Sequence, residues 1–204
     1  MSSLFLTNKQ LILASASPRR KDYLQGLGIT FVSMAAQIDE QPMAGEKPEP
    51  FVERMAAEKA AEISGRHVES WVVAADTVVS LGDRIFGKPS SGEEAVEMLL
   101  ALAGRRHEVR TGYCLHCVAE KVKEVGSVVS QVEFASFDEQ LARAYVETGE
   151  PMDKAGAYGI QGKGACLVKS VNGSYSNVVG LPLDRVLSLL LRYDVVRVVG
   201  AVSL

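Results

Sequence analysis

The stretch LILASASPRR, residues 11–20, joins two kinds of secondary structure over a short length of chain. Its first four residues are apolar, which is typical of a short buried strand. Ser17 and Pro18 are residue types preferred at the N-cap and first position of a helix, and Gly28 stands where such a helix would end. A strand that passes directly into a helix is the building unit of α/β proteins. This stretch therefore predicts an α/β fold.

The remaining chain continues the alternation of strand-like and helix-like segments. Strands are predicted over residues 31–34 and 71–75, and two long β-rich runs, 107–119 and 125–135, are typical of a hairpin. Helices are predicted over residues 50–64 (with Gly65 as the stop), 92–103, 138–148 and 183–192. Because helical crossovers imply parallel strands and the hairpin implies antiparallel ones, we expect a mixed sheet.

The composition is that of an ordinary globular protein. The 204 residues are 47% hydrophobic and 23% charged, and a chain of this length buries enough surface to fold without disulfides. We predict a single domain over residues 1–204. Three cysteines do not make a paired framework and suit a reducing compartment. The net charge of -3 argues against binding to nucleic acid or to an anionic membrane, so any phosphate site must be local.

Two apolar segments are weak candidates for targeting or membrane signals, and we expect neither to act as one. Residues 14–16 resemble a signal-peptidase site, but no basic segment precedes them and the polar residues 7–10 interrupt the apolar stretch. Residues 186–204 are interrupted by charges and fall short of the ~20 apolar residues that a membrane span requires. The expected location is the cytoplasm.

Serines and arginines cluster at the start of the first predicted helix. A helix N-terminus has free N–H groups and partial positive charge, so Arg19 and Arg20 are unfavourable there unless an anion binds. The N–H groups, the hydroxyls of Ser15 and Ser17 and the two guanidinium groups would together form a polyphosphate cradle. The alternative is a surface helix whose arginines pair with neighbouring carboxylates.

Asp76 directly follows the apolar strand 71–75. In open α/β sheets the carboxyl ends of strands border the ligand crevice, where a carboxylate can bind a divalent ion or accept a proton from water. The alternative is a turn aspartate that bonds its own backbone. Glu40, in an acidic loop, is a second candidate for the same site, and a solvated loop residue is its alternative.

Residues 150–164 are polar and glycine-rich, and a stretch of this length without a clear pattern in a compact domain is usually functional. Glycines allow close backbone approach to a ligand, and Gln161 offers both a donor and an acceptor for a base edge. A purely structural loop is the alternative. Lys59 and Lys88 are further candidate cations, although most lysines are simply solvated.

Three shorter patterns resemble motifs that the chain does not complete. Residues 82–89 have Walker A spacing, but Pro89 replaces the Ser or Thr that would hold Mg²⁺. Cys114 and Cys117 lie on opposite faces of a predicted strand and have no second ligand pair, so we expect two buried cysteines. Residues 159–164 have their glycines in the wrong order for a dinucleotide fingerprint.

Taken together, these segments resemble the Maf family of nucleoside triphosphate pyrophosphatases. The matching pieces run in order along nearly the whole chain: LILASASPRR (11–20), IDE (38–40), EKA (58–60), AADTVV (74–79), GKP (87–89), HEVRTG (107–112), GEPMDKAGAYGIQGKG (149–164) and NGSYSNVVGLP (172–182). The resemblance implies an elongated α/β fold of the Maf/ITPase-like type, with a mixed, strongly twisted sheet, flanking helices and a central cleft. It also implies a homodimer that cleaves a nucleoside triphosphate between the α and β phosphates with Mg²⁺ or Mn²⁺.

The resemblance also implies roles for individual residues. Matched by motif, Asp76 accepts a proton from the attacking water, and Glu40 joins it as a candidate metal ligand. The phosphate-binding positions are Ser15, Ser17, Arg20, Lys59 and Lys88.

Three positions distinguish the branches of this family. Arg19, Thr77 and Gln161 resemble the branch that acts on dTTP and UTP, whereas the branch that prefers 7-methyl-GTP has Trp, Gln and Lys there. We therefore predict a dTTP/UTP pyrophosphatase that controls or cleans the nucleotide pool. The alternative is a nucleotide-binding regulator of cell division and septum formation, for which hydrolysis is incidental.

Overall fold

The computed structural model describes residues 3–200 as an α/β protein. The strands are β1 (Phe5–Thr7), β2 (Leu11–Leu13), β3 (Val32–Ser33), β4 (Trp71–Leu81), β5 (Arg84–Phe86), β6 (Arg106–Cys117), β7 (Val122–Phe134), β8 (Val168–Asn172) and β9 (Val196–Val198). The helices are α1 (Pro18–Gly26), α2 (Pro48–Arg66), α3 (Gly92–Leu102), α4 (Glu139–Glu147), α5 (Tyr175–Val179) and α6 (Leu183–Arg192). Three short 3₁₀ turns lie between α4 and β8: Glu150–Asp153, Ala155–Ala157 and Gly162–Leu167.

Seven strands form the main sheet, in the order β3-β2-β4-β6-β7-β8, and β5 pairs with the far end of β4. β2 is parallel to both β3 and β4, and the other pairs are antiparallel. The predicted mixed sheet and the predicted β6–β7 hairpin are confirmed. β1 and β9 form a separate antiparallel pair.

Helices cover both faces of the main sheet. On one face, Ala56, Ala60 and Ile63 of α2 pack on Val72 and Ala74 of β4. On the opposite face, α1 and α6 pack around the β2 side of the sheet, and α3 and α4 pack where β5, β6 and β7 meet. Because side chains alternate along a strand, neighbouring residues of β4 belong to different layers of the core.

Several predicted boundaries differ from the structure by one to three residues, and the predicted ends at Asp76 and Gly65 were wrong. Asp76 does not end a strand, because β4 continues to Leu81 and is paired with β6 along almost its whole length. Gly65 does not end α2, which runs on until the N–H of His67 bonds the carbonyl groups of Ile63 and Ser64. Gly65 has no positive φ, and a Cβ on it would meet nothing within 4 Å, so it lies on the open surface of the last turn.

Cys114 and Cys117 are buried and free, as predicted, and they belong to core clusters on opposite faces of the sheet. None of the helices within residues 3–200 combines the length and the apolar character needed to cross a bilayer. The predicted domain and the apolar C-terminal segment extend to residues 1, 2 and 201–204, which lie outside the described residues.

Candidate active site

An open stretch along one edge of β4 creates the candidate site. β2 pairs with β4 only as far as Leu13 opposite Val73, and β5 joins the same strand again at Val79. The residues between these two contacts have a strand neighbour on the β6 side alone. A cavity of about 770 Å³ opens there, which lies within the range of ligand pockets.

The cavity brings together every residue that the sequence predicted for the site. All ten line it: Ser15, Ser17, Arg19, Arg20, Glu40, Lys59, Asp76, Thr77, Lys88 and Gln161. They come from the β2–α1 connection, the first turn of α1, the loop after β3, α2, β4, the segment after β5 and the loop after α4.

A buried ion pair, Lys59 with Asp76, lines the cavity and is joined by the exposed carboxylate of Glu40. The Lys59 ammonium donates to Asp76 Oδ1 at 2.6 Å and lies 3.0 Å from Glu40 Oε2. Asp76 is 8% exposed and Lys59 is 7% exposed, whereas Glu40 is exposed. Buried charges are tolerated when they are paired, so this lysine fixes the carboxylate of Asp76 in place.

The opposite face of β4 holds Arg20. Its Nε donates to the carbonyl oxygen of Gly180 at 2.7 Å, Nη1 to Ser15 Oγ at 3.2 Å and Nη2 to Thr77 Oγ1 at 3.1 Å. The Thr77 hydroxyl is also 2.9 Å from that of Thr111. Burial lowers the pKa of Arg20, and the charge of Asp76 acts in the opposite direction. A guanidinium group stays protonated in proteins, so Arg20 is a fixed cation at the cavity wall.

The rim of the cavity adds further charges. Arg19 Nη1 lies 3.0 Å from Asp153 Oδ2, and Lys88 and Gln161 are exposed. Cationic side chains exceed carboxylates in the lining, with five against three: Arg19, Arg20, Lys59, Lys88 and Lys154 against Glu40, Asp76 and Asp153. A chain of net negative charge therefore presents a cationic pocket.

The N-terminus of α1 lines the same cavity, through Ser17, Pro18 and the two arginines that follow. Ser17 occupies the N-cap as predicted, but its side chain makes no capping hydrogen bond. Its own N–H donates to Ser15 Oγ at 3.2 Å, and no acidic residue lies in the first turn of α1. Pro18 has no N–H, so Arg19 and Arg20 supply the first helical N–H groups, which have no partner within the helix and remain available to an anion.

Asp76 and Glu40 are the carboxylates of this cavity that a divalent cation could use as ligands together with phosphate. Among residues 3–200 no group of three or more His, Cys, Asp or Glu side chains is arranged to hold a metal ion. Asp76 and Glu40 nevertheless converge on one point, since both reach the ammonium of Lys59. Mg²⁺ is commonly held by one or two carboxylates together with substrate phosphates.

Several supporting residues were not predicted individually. Thr111 and Gly180 hold Thr77 and Arg20, and Glu150 holds the loop that carries Gln161. Gly112 lies opposite Asp76 in the sheet, where a Cβ would be 2.1 Å from the carbonyl oxygen of Val52 in α2. All except Val52 lie in segments quoted for the family resemblance, but no local pattern indicates which partner each contacts.

Comparison with known proteins gives one family. The family model described as Maf-like protein matches residues 10–193. Three curated relatives are named dTTP/UTP pyrophosphatase. The one from Desulfotalea psychrophila is 52% identical over 96% of this chain and 100% of its own length. The relative from Myxococcus xanthus is 50% identical (89% of this chain, 91% of its own), and that from Clostridioides difficile is 45% identical (90% and 94%).

Among solved structures, the Staphylococcus aureus Ham1 protein resembles part of the chain. The TM-score is 0.46 at 18% sequence identity, and the match covers 62% of this chain and 72% of that chain.

Proposed function

We propose that this chain, which belongs to the Maf family, hydrolyses dTTP and UTP to the nucleoside monophosphate and pyrophosphate. One observation carries the proposal: a buried carboxylate fixed by a lysine lies in the same cavity as an excess of cationic side chains. The names of the three relatives support the choice of substrates.

In the proposed mechanism Asp76 accepts the proton of the attacking water. Lys59 donates a hydrogen bond to Asp76 Oδ1. This bond fixes the orientation of the carboxylate, so the carboxylate need not move before it accepts the proton. Cleavage of a phosphoanhydride mainly requires an aligned water and preorganised positive charge near the phosphate oxygens. Arg19, Arg20 and Lys88 supply that charge, together with the N–H groups at the start of α1 and the hydroxyls of Ser15 and Ser17.

Metal dependence is part of the proposal. Asp76 and Glu40 would hold a divalent cation, Mg²⁺ or Mn²⁺, which when bound supplies charge neutralisation at the phosphate oxygens. We expect EDTA to abolish turnover and added Mg²⁺ or Mn²⁺ to restore it, measured as pyrophosphate release.

The three specificity residues have different tasks in this proposal. The amide of Gln161 would pair with the O4 and N3–H edge of uracil or thymine, since it offers one acceptor and donors side by side. Thr77 faces away from Asp76 on β4 and bonds Arg20, so its contribution is to position that guanidinium. Arg19, at the rim, would exchange its contact with Asp153 for a phosphate.

The cytoplasmic location and the homodimer are also proposals, supported by membership of the family. Apolar side chains remain exposed on and beside the β1–β9 pair, and these are candidates for a dimer interface: Leu4, Leu6, Val198 and Val199. Light scattering of the purified protein tests the dimer directly.

A nucleotide panel tests the proposed activity. Pyrophosphate release is measured from dTTP, UTP, CTP, ATP, GTP and 7-methyl-GTP with Mg²⁺ or Mn²⁺, and the second product is identified. We expect dTTP and UTP to be the best substrates, with a monophosphate as the second product. Release only from 7-methyl-GTP would overturn the choice of substrate, and no release from any nucleotide would favour the regulatory binding protein.

A further inference from the structure

A single carboxylate organises the loop that carries Gln161. Glu150 Oε1 accepts the N–H of Gly164 at 3.0 Å and the hydroxyl of Tyr145 at 2.9 Å. Its Oε2 accepts the N–H of Lys163, also at 3.0 Å. The two amides open the 3₁₀ turn that begins directly after Gln161. Glu150 therefore fixes the backbone on the C-terminal side of Gln161.

Tyr145 fixes the other side of the same loop. Its hydroxyl oxygen accepts the N–H of Gly159 at 3.1 Å while its own proton is donated to Glu150. Tyr145 lies on α4 and is 4% exposed, so it is anchored in the core. The backbone before and after Gln161 is thus held by one pair of bonded side chains.

The glycines of the loop serve this packing. Gly162 has φ +75°, and a Cβ on it would lie 2.9 Å from Glu150 Oε2. A Cβ on Gly164 would lie 2.4 Å from the carbonyl oxygen of Gly159 and 2.5 Å from the Tyr145 hydroxyl. The sequence suggested that these glycines admit a ligand to the backbone; in the structure, Gly162 and Gly164 admit the Glu150–Tyr145 pair instead.

The charge of Glu150 matches its hydrogen-bond partners. Burial alone would raise its pKa, but the N–H donors of Gly164 and Lys163 and the Tyr145 hydroxyl hold the pKa below its ordinary value. Glu150 is therefore ionised at neutral pH, and an ionised carboxylate accepts from all three donors at once.

We propose that Glu150, together with Tyr145, is a positioning residue for Gln161 and thereby determines the selectivity for uracil and thymine nucleotides. This inference rests on the proposed function, in which the Gln161 amide contacts the base. Glu150 does not line the cavity, and its carboxylate reaches the loop through the N–H groups of Lys163 and Gly164 and through Tyr145. Its loss should weaken recognition of the base while the chemistry at Asp76 continues.

The test compares Glu150→Gln and Tyr145→Phe with wild type. Glu147→Gln is the matched control, because Glu147 is exposed at the end of α4 and makes no side-chain hydrogen bond among residues 3–200. The kcat and KM values are measured for UTP and CTP, which differ at the base edge that Gln161 would contact. Gln161→Ala sets the scale for complete loss of base recognition.

We expect Glu150→Gln to raise the KM for UTP about tenfold and to lower the UTP preference over CTP by a similar factor, as for a lost charged hydrogen bond. Its kcat should stay within about threefold of wild type. Hydrogen exchange gives a readout independent of turnover, and the amides of Lys163 and Gly164 should exchange at least about tenfold faster. Glu147→Gln should change none of these values.

Two results would overturn the inference alone: an unchanged KM and UTP preference in Glu150→Gln, or an equal loss of kcat for both nucleotides. The second would indicate a merely structural role. A wild-type protein that releases no pyrophosphate from UTP would overturn the proposed function, and the positioning role with it.

Discussion

At the residue scale, two adjacent side chains of β4 lie on opposite faces of the strand and contact different residues of the site. Asp76 projects toward α2 and bonds Lys59, while Thr77 projects to the other face and bonds Arg20. This division follows from strand geometry, since successive side chains point to opposite faces. Asp76, the proposed general base, and the guanidinium group of Arg20 are therefore held by separate hydrogen bonds, although Asp76 and Thr77 are adjacent on β4.

The buried side chain of His107 should make the free energy of unfolding depend on pH. Burial lowers the pKa of His107 to about 4, and its Nε2 lies 2.8 Å from the hydroxyl of Tyr158, which lines the cavity. Because the ordinary pKa is higher, the unfolded chain binds the proton more tightly, so stability falls as the pH drops below about 6.5. Between pH 7 and 5 this one group should lower the free energy of unfolding by about 2 kcal/mol.

Urea unfolding at pH 7 and pH 5 checks this expectation. His107→Gln should reduce the difference between the two pH values by about 2 kcal/mol. An undiminished pH dependence in His107→Gln would show that His107 is not the group responsible.

At the scale of elements, the close approach of α2 to the sheet assembles the ion pair of Lys59 and Asp76. Lys59 lies on the apolar stripe of α2, where Met55, Ala56 and Ile63 face the core. The stripe reaches the sheet because Gly112 of β6, directly opposite Asp76, has no side chain to separate them.

Gly112→Ala should therefore be costly. The added Cβ would lie 2.1 Å from a backbone oxygen of α2, and a helix backbone cannot move aside as a flexible side chain can. We expect the free energy of unfolding to fall by about 1–3 kcal/mol, the usual range for overpacking. Turnover should also fall, because a shift of α2 would move Lys59. Urea unfolding and pyrophosphate release measure the two effects.

Gly65→Ala, in the last turn of α2, is the control. Nothing lies within 4 Å of its added Cβ, so this change should stabilise the protein by about 0.5–1 kcal/mol and leave turnover intact. Equal stability of the Gly112→Ala variant and wild type would contradict the close approach.

The accuracy of the predicted helix and strand bounds depends on the length of the hydrophobic pattern in each segment. Long periodic segments such as α6 and the β6–β7 hairpin are predicted closely, whereas β1, β5 and β9, of three residues each, are too short to show a period. The continuation of β4 past Asp76 depends on pairing with β6, which local sequence does not encode. Motifs identify the ten site residues in the sequence, but only the folded structure shows which atoms each of them contacts.

At the scale of the whole molecule, the two ends of the described chain are tied to one core. Phe5 of β1 and Val196 of β9 pack in the same cluster as Trp71 of β4 and Leu190 of α6. The ring of Trp71 lies 5.1 Å from that of Tyr193, the residue after α6. The single tryptophan thus reports on the docking of the C-terminal helix against the sheet.

A single domain should unfold in one cooperative step. We expect the urea transition followed by Trp71 fluorescence to coincide with that followed by far-ultraviolet circular dichroism, because a single domain loses its packing and its secondary structure together. Transitions with separate midpoints would contradict the prediction of one domain over residues 1–204.

The net charge of the molecule is compatible with a polyphosphate substrate because charge is distributed unevenly. The chain carries -3 overall, yet cationic side chains exceed carboxylates around the cavity. The excess is local and suits one triphosphate, whereas a long polyanion would need an extended cationic surface.

The rate of pyrophosphate release from UTP by the Asp76→Asn variant tests whether Asp76 is the general base. Wild type is measured beside it, with Asp83→Asn, in the exposed β4–β5 turn, as the control and circular dichroism as the check of folding. If Asp76 is the base, its variant should be folded and slower by ~10²–10⁴, while Asp83→Asn should match wild type. Near-wild-type release of pyrophosphate by a folded Asp76→Asn protein would show that Asp76 is not the general base.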